Sequence, residues 1–145
     1  MISYDDFKKV EIRAGKILSA EKIPNTDKLL KLSVDFAETT STSAPVVAPV
    51  TATIDPTVPV VPTPAPVLAS IITKLPPRQI VSGISMYFPD PAVLVGKTCM
   101  FVTNLEPRMI KGYESNGMIF AISDDKGNFS LLEPNSSIEP GTLAA

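Results

Sequence analysis

Nine of the fifteen prolines fall between Thr39 and Pro77, and that distribution divides the chain before any other pattern does. Asp55 and Lys74 are the only charges there, and most of what remains is Ala, Val and Thr. Prolines at 56, 59, 62, 64 and 66 remove backbone donors and clash with a preceding helical turn. A helix is therefore excluded and a central strand disfavoured. The same prolines exclude a membrane span over Val58–Leu75, despite its apolarity. The stretch 39–77 reads as an extended, polyproline-like insertion in a loop between two strands. Each doubling of a flexible loop costs only ~0.6 kcal/mol, so stretching a tight hairpin to this length costs roughly 2 kcal/mol. A domain stable by ~5–15 kcal/mol carries that. Within the insertion, Val67-Leu-Ala-Ser-Ile-Ile72 is apolar enough that packing against the barrel or a partner is expected.

The flanks read as short strands. Ser3 and Asp6 have the spacing of a capping box, which predicts a helical turn through Phe7 to Lys9. Val10, Ile12 and Ala14 then alternate with Glu11 and Arg13, and the alternation loses register around Ile17 and Leu18, just after Gly15. A glycine followed by a register change predicts a bulge or sharp bend in a long first strand. Ile23-Pro-Asn-Thr-Asp27 is a turn. In the next strand Leu30, Leu32, Val34 and Phe36 point inward, and Lys31, Ser33 and Asp35 outward. Arg78–Ile84 makes a third strand. Asp90, Pro91 and Gly96 bound a helix of one to two turns. Strands at Lys97–Thr103, Met118–Ser123 and Phe129–Leu132 complete the chain.

Strand, strand, strand, short helix, strand, strand is the order of an all-β, five-stranded Greek-key barrel of the OB type. The helix lies between strands three and four, and a short helical turn precedes strand one. Another small half-open barrel or roll is the alternative. Residues 1–145 are expected to form one such domain, interrupted at 39–77 in the loop between strands two and three.

Composition removes several kinds of chemistry. The 145 residues contain no His, which excludes Ser–His and Cys–His nucleophile pairs and the commonest metal ligand. The single cysteine, Cys99, sits in an apolar run and is expected to pack as a small hydrophobe. The N-terminus is acidic at once and lacks the order of a secretory signal, so a cytoplasmic protein is expected. Neither a cofactor nor a metal is expected. Net charge is −2, so the chain is not globally basic. From Asp124 onward four carboxylates face one lysine, which leaves the remainder with 12 basic and 11 acidic residues.

The remaining signal is Asn104-Leu-Glu-Pro-Arg-Met-Ile-Lys-Gly-Tyr-Glu-Ser-Asn-Gly-Met118. Pro107 should end one strand and Asn116-Gly117 restart the next, leaving Arg108, Lys111, Gly112, Ser115 and Asn116 on a loop held by a rigid frame. OB-type barrels bind oligonucleotides across strands two and three and between the loops joining strands one to two and four to five. That surface would carry Asn25, Lys28, Lys31, Arg78, Ser82, Arg108, Lys111 and Ser115, with five cations drawn from four separate segments. Tyr87, Phe88 and Tyr113 are the candidates for base stacking, with Tyr113 the best placed. So few platforms predict that phosphate, ribose and shape contacts dominate.

Four segments, in this order, resemble the tRNA-binding domain associated with methionyl-tRNA synthetase. They are Tyr4-Asp-Asp-Phe-Lys-Lys-Val-Glu-Ile-Arg-Ala-Gly-Lys-Ile17, Asp27-Lys-Leu-Leu-Lys-Leu32, Arg78-Gln-Ile-Val-Ser-Gly-Ile84 and the 104–118 segment. The resemblance implies an OB fold, frequent homodimers and tRNA binding without strong sequence preference. It places Lys28, Lys31, Arg78, Ser82, Asn104, Arg108, Lys111, Ser115 and Met118 toward RNA, with Asn104 and Met118 entering through it alone. For these two the competing readings are an amide satisfying backbone groups and a core methionine. Ser82 could equally be a sheet hydroxyl bonded to its neighbours. The family joins strands two and three by a tight turn, where 39 residues intervene here. No catalytic signature of a synthetase is present, so a non-catalytic tRNA-binding module is expected, acting in trans or as a subunit beside the catalytic chain. A dimeric protein-binding or chaperone-like OB domain is the alternative.

Overall fold

A computed structural model describes residues 1–42 and 71–144. The expected polyproline-like course and most of the Val67–Ile72 patch lie outside them. The chain divides into two compact units, Met1–Glu38 with Pro76–Ala145, and Thr39–Leu75.

The first unit begins with α1 (Tyr4–Phe7), where the Ser3 hydroxyl accepts the Asp6 N–H at 3.1 Å and donates to the Asp6 carboxylate at 2.8 Å. Three long strands follow, β1 (Ile12–Lys22), β2 (Leu30–Asp35) and, beyond the second unit's β3 (Thr39–Thr42) and β4 (Ile71–Lys74), β5 (Arg78–Ser82). After two 3-10 turns come β6 (Thr98–Val102), β7 (Arg108–Ile110), β8 (Tyr113–Ser115), β9 (Met118–Ile119), β10 (Ala121–Ser123) and β11 (Phe129–Leu131). The main sheet runs β5-β2-β1-β6-β9, antiparallel throughout. It comes close to closing where Asn116 N–H donates to Gln79 O at 2.9 Å and Val81 N–H donates to the Ser115 hydroxyl at 3.0 Å. This is the five-stranded OB-type barrel that the strand order predicts.

Alternation explains the lining. Leu30, Leu32, Val34 and Phe36 from β2 and its continuation meet Ile17, Ile80, Cys99 and Phe101, all buried. β1 slips register between Ile17 and Ser19, so Leu18 is the extra residue of a bulge and stands exposed. Gly15 faces inward where a Cβ would lie 2.5 Å from Phe36 Cε1 and 2.6 Å from Val34 Cγ1. Only a residue without a side chain leaves room there for the Val34 and Phe36 side chains of the neighbouring strand.

Three expectations change in detail. The helix at 90–96 is a tighter 3-10 turn, Pro91–Leu94, capped by the Asp90 carboxylate accepting Ala92 N–H at 2.9 Å. The turn closes through three-residue bonds, Val95 N–H on Ala92 O at 3.1 Å and Lys97 N–H on Leu94 O at 3.2 Å, and delivers Leu94 into the core. The strand expected over 118–123 breaks at Phe120, whose N–H bonds Met100 O at 2.8 Å while its carbonyl accepts from Leu132 N–H at 3.1 Å. There the chain exchanges β6 for β11 as its partner. The loop at 104–118 is itself a hairpin, β7 paired with β8. Its two-residue turn places Lys111 at φ 51° and Gly112 at φ 84°, the left-handed pair such turns require.

In the second unit Thr39–Thr42 pairs antiparallel with Ile71–Lys74. The two ends of the 39–77 stretch thus form a ladder, consistent with their β-branched residues and lack of proline. Between the last β2–β5 pair, Val34 with Arg78, and the first β3–β4 pair, Thr39 with Lys74, lie four residues (35–38) against three (75–77). Ala37, at φ 50°, falls within the longer side. Among the described residues no helix is long and apolar enough to cross a membrane.

Candidate nucleic-acid interface

Two clefts of the first unit bring together most of the predicted site. The β1–β2 turn is shaped by Asn25 at φ 61° and by the Thr26 hydroxyl donating to Ile23 O at 3.0 Å. It presents Lys28 into an open cleft of about 360 Å³ whose far side is Lys111, at the tip of the β7–β8 hairpin. Both lysines are exposed. A second groove, also about 360 Å³, runs between the end of β5 and that hairpin and is lined by Ser82, Arg108, Ser115 and Met118. Arg108 is exposed, and Met118 is 50% exposed rather than a core methionine.

Lys31 lies beside them on β2, opposite Glu21 in the β1–β2 register. Its ammonium sits 2.6 Å from the Glu21 carboxylate and 5.7 Å from the centre of the Tyr113 ring. The hydrogen bond to Glu21 raises its pKa, so Lys31 stays charged at neutral pH. Glu21 was not among the expected site residues. Counting back through the hairpin from the turn at Asn25 is the signal that would have found it.

Three of the expected residues, Ser115 of the groove among them, are engaged within the fold. Ser115 is buried, and its hydroxyl accepts from Val81 N–H and donates to Gly117 O. Arg78 lies four residues down β5 from Ser82, about 13 Å away at the rise of a strand. Its guanidinium forks onto Glu38 at 2.5 and 2.9 Å and donates to Thr103 O at 2.8 Å. Asn104 sits at that same end, accepting from Glu11 N–H at 2.8 Å and donating to Lys9 O. Nearby, the Glu11 carboxylate accepts from Arg13 Nε and from the Thr103 hydroxyl, each at 2.7 Å, and these contacts hold its pKa below the ordinary value. The structure thus gathers Lys28, Lys31, Ser82, Arg108, Lys111, Ser115 and Met118 around the β7–β8 hairpin and sets Arg78 and Asn104 apart.

Among the described residues no group of three His, Cys, Asp or Glu side chains is placed to hold a metal. Cys99 is buried, which pushes its thiol up to about 11 and makes it a poor nucleophile.

A five-stranded barrel whose β1–β2 turn and β7–β8 hairpin face each other across Lys28 and Lys111 is built as the oligonucleotide-binding OB barrels are. Residues 69–143, more than half of the chain, match the family described as "Putative tRNA binding domain", and the chain belongs to this tRNA-binding domain family. It is 41% identical over 142 residues to the methionine–tRNA ligase of Methanoregula boonei, covering 98% of this chain and 15% of that protein. The corresponding ligase of Methanosphaerula palustris is 37% identical over the same shares. The chain therefore spans about 15% of the length of the curated relatives it matches. Among solved structures, a MetRS-related protein from Pyrococcus horikoshii superposes with a TM-score of 0.69 at 27% identity, covering 100% of this chain and 98% of that one. The chaperone CsaA from Bacillus anthracis shares the fold, with a TM-score of 0.66 at 21% identity, covering 100% and 99%.

Proposed function

We propose that this chain is a non-catalytic module that binds tRNA and retains it for methionyl-tRNA synthetase. The observation that carries the reading is the convergence of Lys28, Lys111 and Arg108 on the two clefts flanking one hairpin, in a chain of the tRNA-binding domain family. In this reading the three cations, with Lys31, neutralise backbone phosphates, while Ser82 and Met118 meet ribose and base edges. Ser115 holds that surface in shape, while Arg78 and Asn104 brace the other end of the barrel. With the barrel's acidic residues outnumbering its basic ones, affinity rests on local placement of charge and falls steeply with salt. Any gain for the synthetase comes from raised local tRNA concentration. Homodimerisation belongs to the same proposal. Its candidate face is the cleft lined by Tyr4, Phe7, Val10 and Leu143, all exposed apolar side chains of the two chain ends. That same cleft favours the second reading, a dimeric protein-binding or chaperone-like domain.

The test is binding of unfractionated tRNA across a salt series by the wild type and by the double variant Arg108→Gln, Lys111→Asn. Asparagine tolerates the left-handed backbone at 111. The variant should bind all tRNAs more weakly, with a log–log salt slope shallower by about one per cation removed. Unchanged binding would overturn the assignment. Preference of the wild type for unfolded polypeptide over tRNA would favour the second reading.

A further inference from the structure

We propose that Tyr87 is a stacking platform for one unpaired base of the bound RNA, a role that rests on the tRNA-binding reading and adds base contact to it. The ring lies flat on Phe129, with centroids 4.0 Å apart and planes within 10°. Phe129 is held in turn by Phe88, which meets it edge-on at 5.7 Å and 82°. Phe88 and Phe129 are half-buried against the barrel core. One face of Tyr87 is thus fixed from below by a braced pair of rings, yet the residue remains 37% exposed. Such a ring takes a base with little further loss of rotamer freedom, because its two side-chain torsions are already set by packing.

Position gives the platform its ligand. Ser85, two residues earlier, is buried and donates its N–H to Lys28 O at 3.0 Å, so this 3-10 turn is fastened to the loop that carries the first cation of the candidate interface. At about 2 Å of rise per residue, Tyr87 stands close to that fastening. A strand whose phosphates lie on Lys28 therefore reaches the turn that carries Tyr87. Exposed aromatic rings beside cations are how sequence-tolerant RNA binders hold unpaired bases, whereas a paired base presents no free face. Tyr113, also expected from the sequence to stack, has the Lys31 ammonium 5.7 Å from its ring centre.

The experiment uses the whole chain with Tyr87→Phe, Tyr87→Leu and Tyr87→Trp. Leucine keeps an apolar cover over Phe129 but has no aromatic face. The chain has no Trp of its own, so the Tyr87→Trp variant reports from this position alone. The probes are unfractionated tRNA, a blunt RNA duplex and an unfolded protein, each variant first shown to melt as a folded domain. Tyr87→Leu should lose about five- to a hundred-fold in tRNA affinity, the range one stacked base supplies, with its salt slope unchanged. Tyr87→Phe should bind as the wild type does, and all should bind the duplex equally. Tryptophan emission in the Tyr87→Trp variant should be quenched by tRNA and not by the duplex. Wild-type affinity in Tyr87→Leu overturns the platform and leaves the tRNA reading standing. Failure of the wild type to bind tRNA overturns both. Quenching by the unfolded protein in preference to tRNA reassigns the ring to polypeptide.

Discussion

The Ser115 hydroxyl stands in for a backbone carbonyl opposite Val81: it accepts the Val81 N–H at 3.0 Å and donates to Gly117 O at 3.1 Å. With Asn116 N–H on Gln79 O, this is the seam where β5 meets the far end of the sheet. A serine that lines the candidate groove also holds the barrel nearly closed beneath the β7–β8 hairpin.

Ser115→Ala therefore leaves a buried N–H without an acceptor. The expected cost is about 1–3 kcal/mol, read as a lower urea midpoint at unchanged m-value. tRNA affinity should fall less than in the Arg108, Lys111 double variant.

Gly15 makes a prediction of the opposite kind, from crowding. In Gly15→Ala the new methyl meets Phe36 and Val34 at 2.5 and 2.6 Å, and overpacking of this type costs about 1–3 kcal/mol. Gly83→Ala is the control, since a Cβ there meets nothing within 4 Å. Thermal melts should separate the two, with the first lowered and the second unchanged or slightly raised.

Acid should act through Glu11. Its hydrogen bonds from Arg13 and Thr103 depress the folded-state pKa below the ordinary 4.5. A depressed carboxyl contributes stability that is present above the unfolded value and lost as pH falls through the folded one. The stability difference between wild type and Glu11→Gln should be level near neutrality and shrink in acid below pH 4.5. Chemical denaturation at stepped pH measures it. A difference that grew in acid would contradict the assignment.

The barrel was legible in the sequence because its information is local. Alternation from Leu30 to Phe36 names one wall, Gly15 and the slip at Leu18 mark the bulge, and Asp90-Pro91 marks the turn before β6. What misled was either averaging or long-range geometry. Nine prolines gave 39–77 a single character, though Thr39–Thr42 and Ile71–Lys74 contain none and form a ladder. The hairpin turn at Lys111-Gly112 carries no Asn or Asp to announce it.

The candidate site was legible only as a set of residue types. Arginine, serine and asparagine suit phosphate and ribose, and they suit orphaned backbone groups equally well. Arg78, Ser115 and Asn104 find their protein partners 40, 34 and 93 residues away, and no spacing rule spans such separations. Among the described residues Lys28 and Lys111 make no side-chain bond of that range, and an open cleft joins them.

Glu38 and Arg78 stand at the two ends of the inserted unit, one residue before it and three after it, and their fork ties those ends together. Strands β2 and β5 are neighbours already, so the barrel's register is complete without anything that lies between them. The position works as a socket. The segment that occupies it leaves and re-enters the barrel beside two residues already clasped. The barrel is therefore expected to keep its register when that segment is shortened, because the clasp and the β2–β5 ladder both lie outside it.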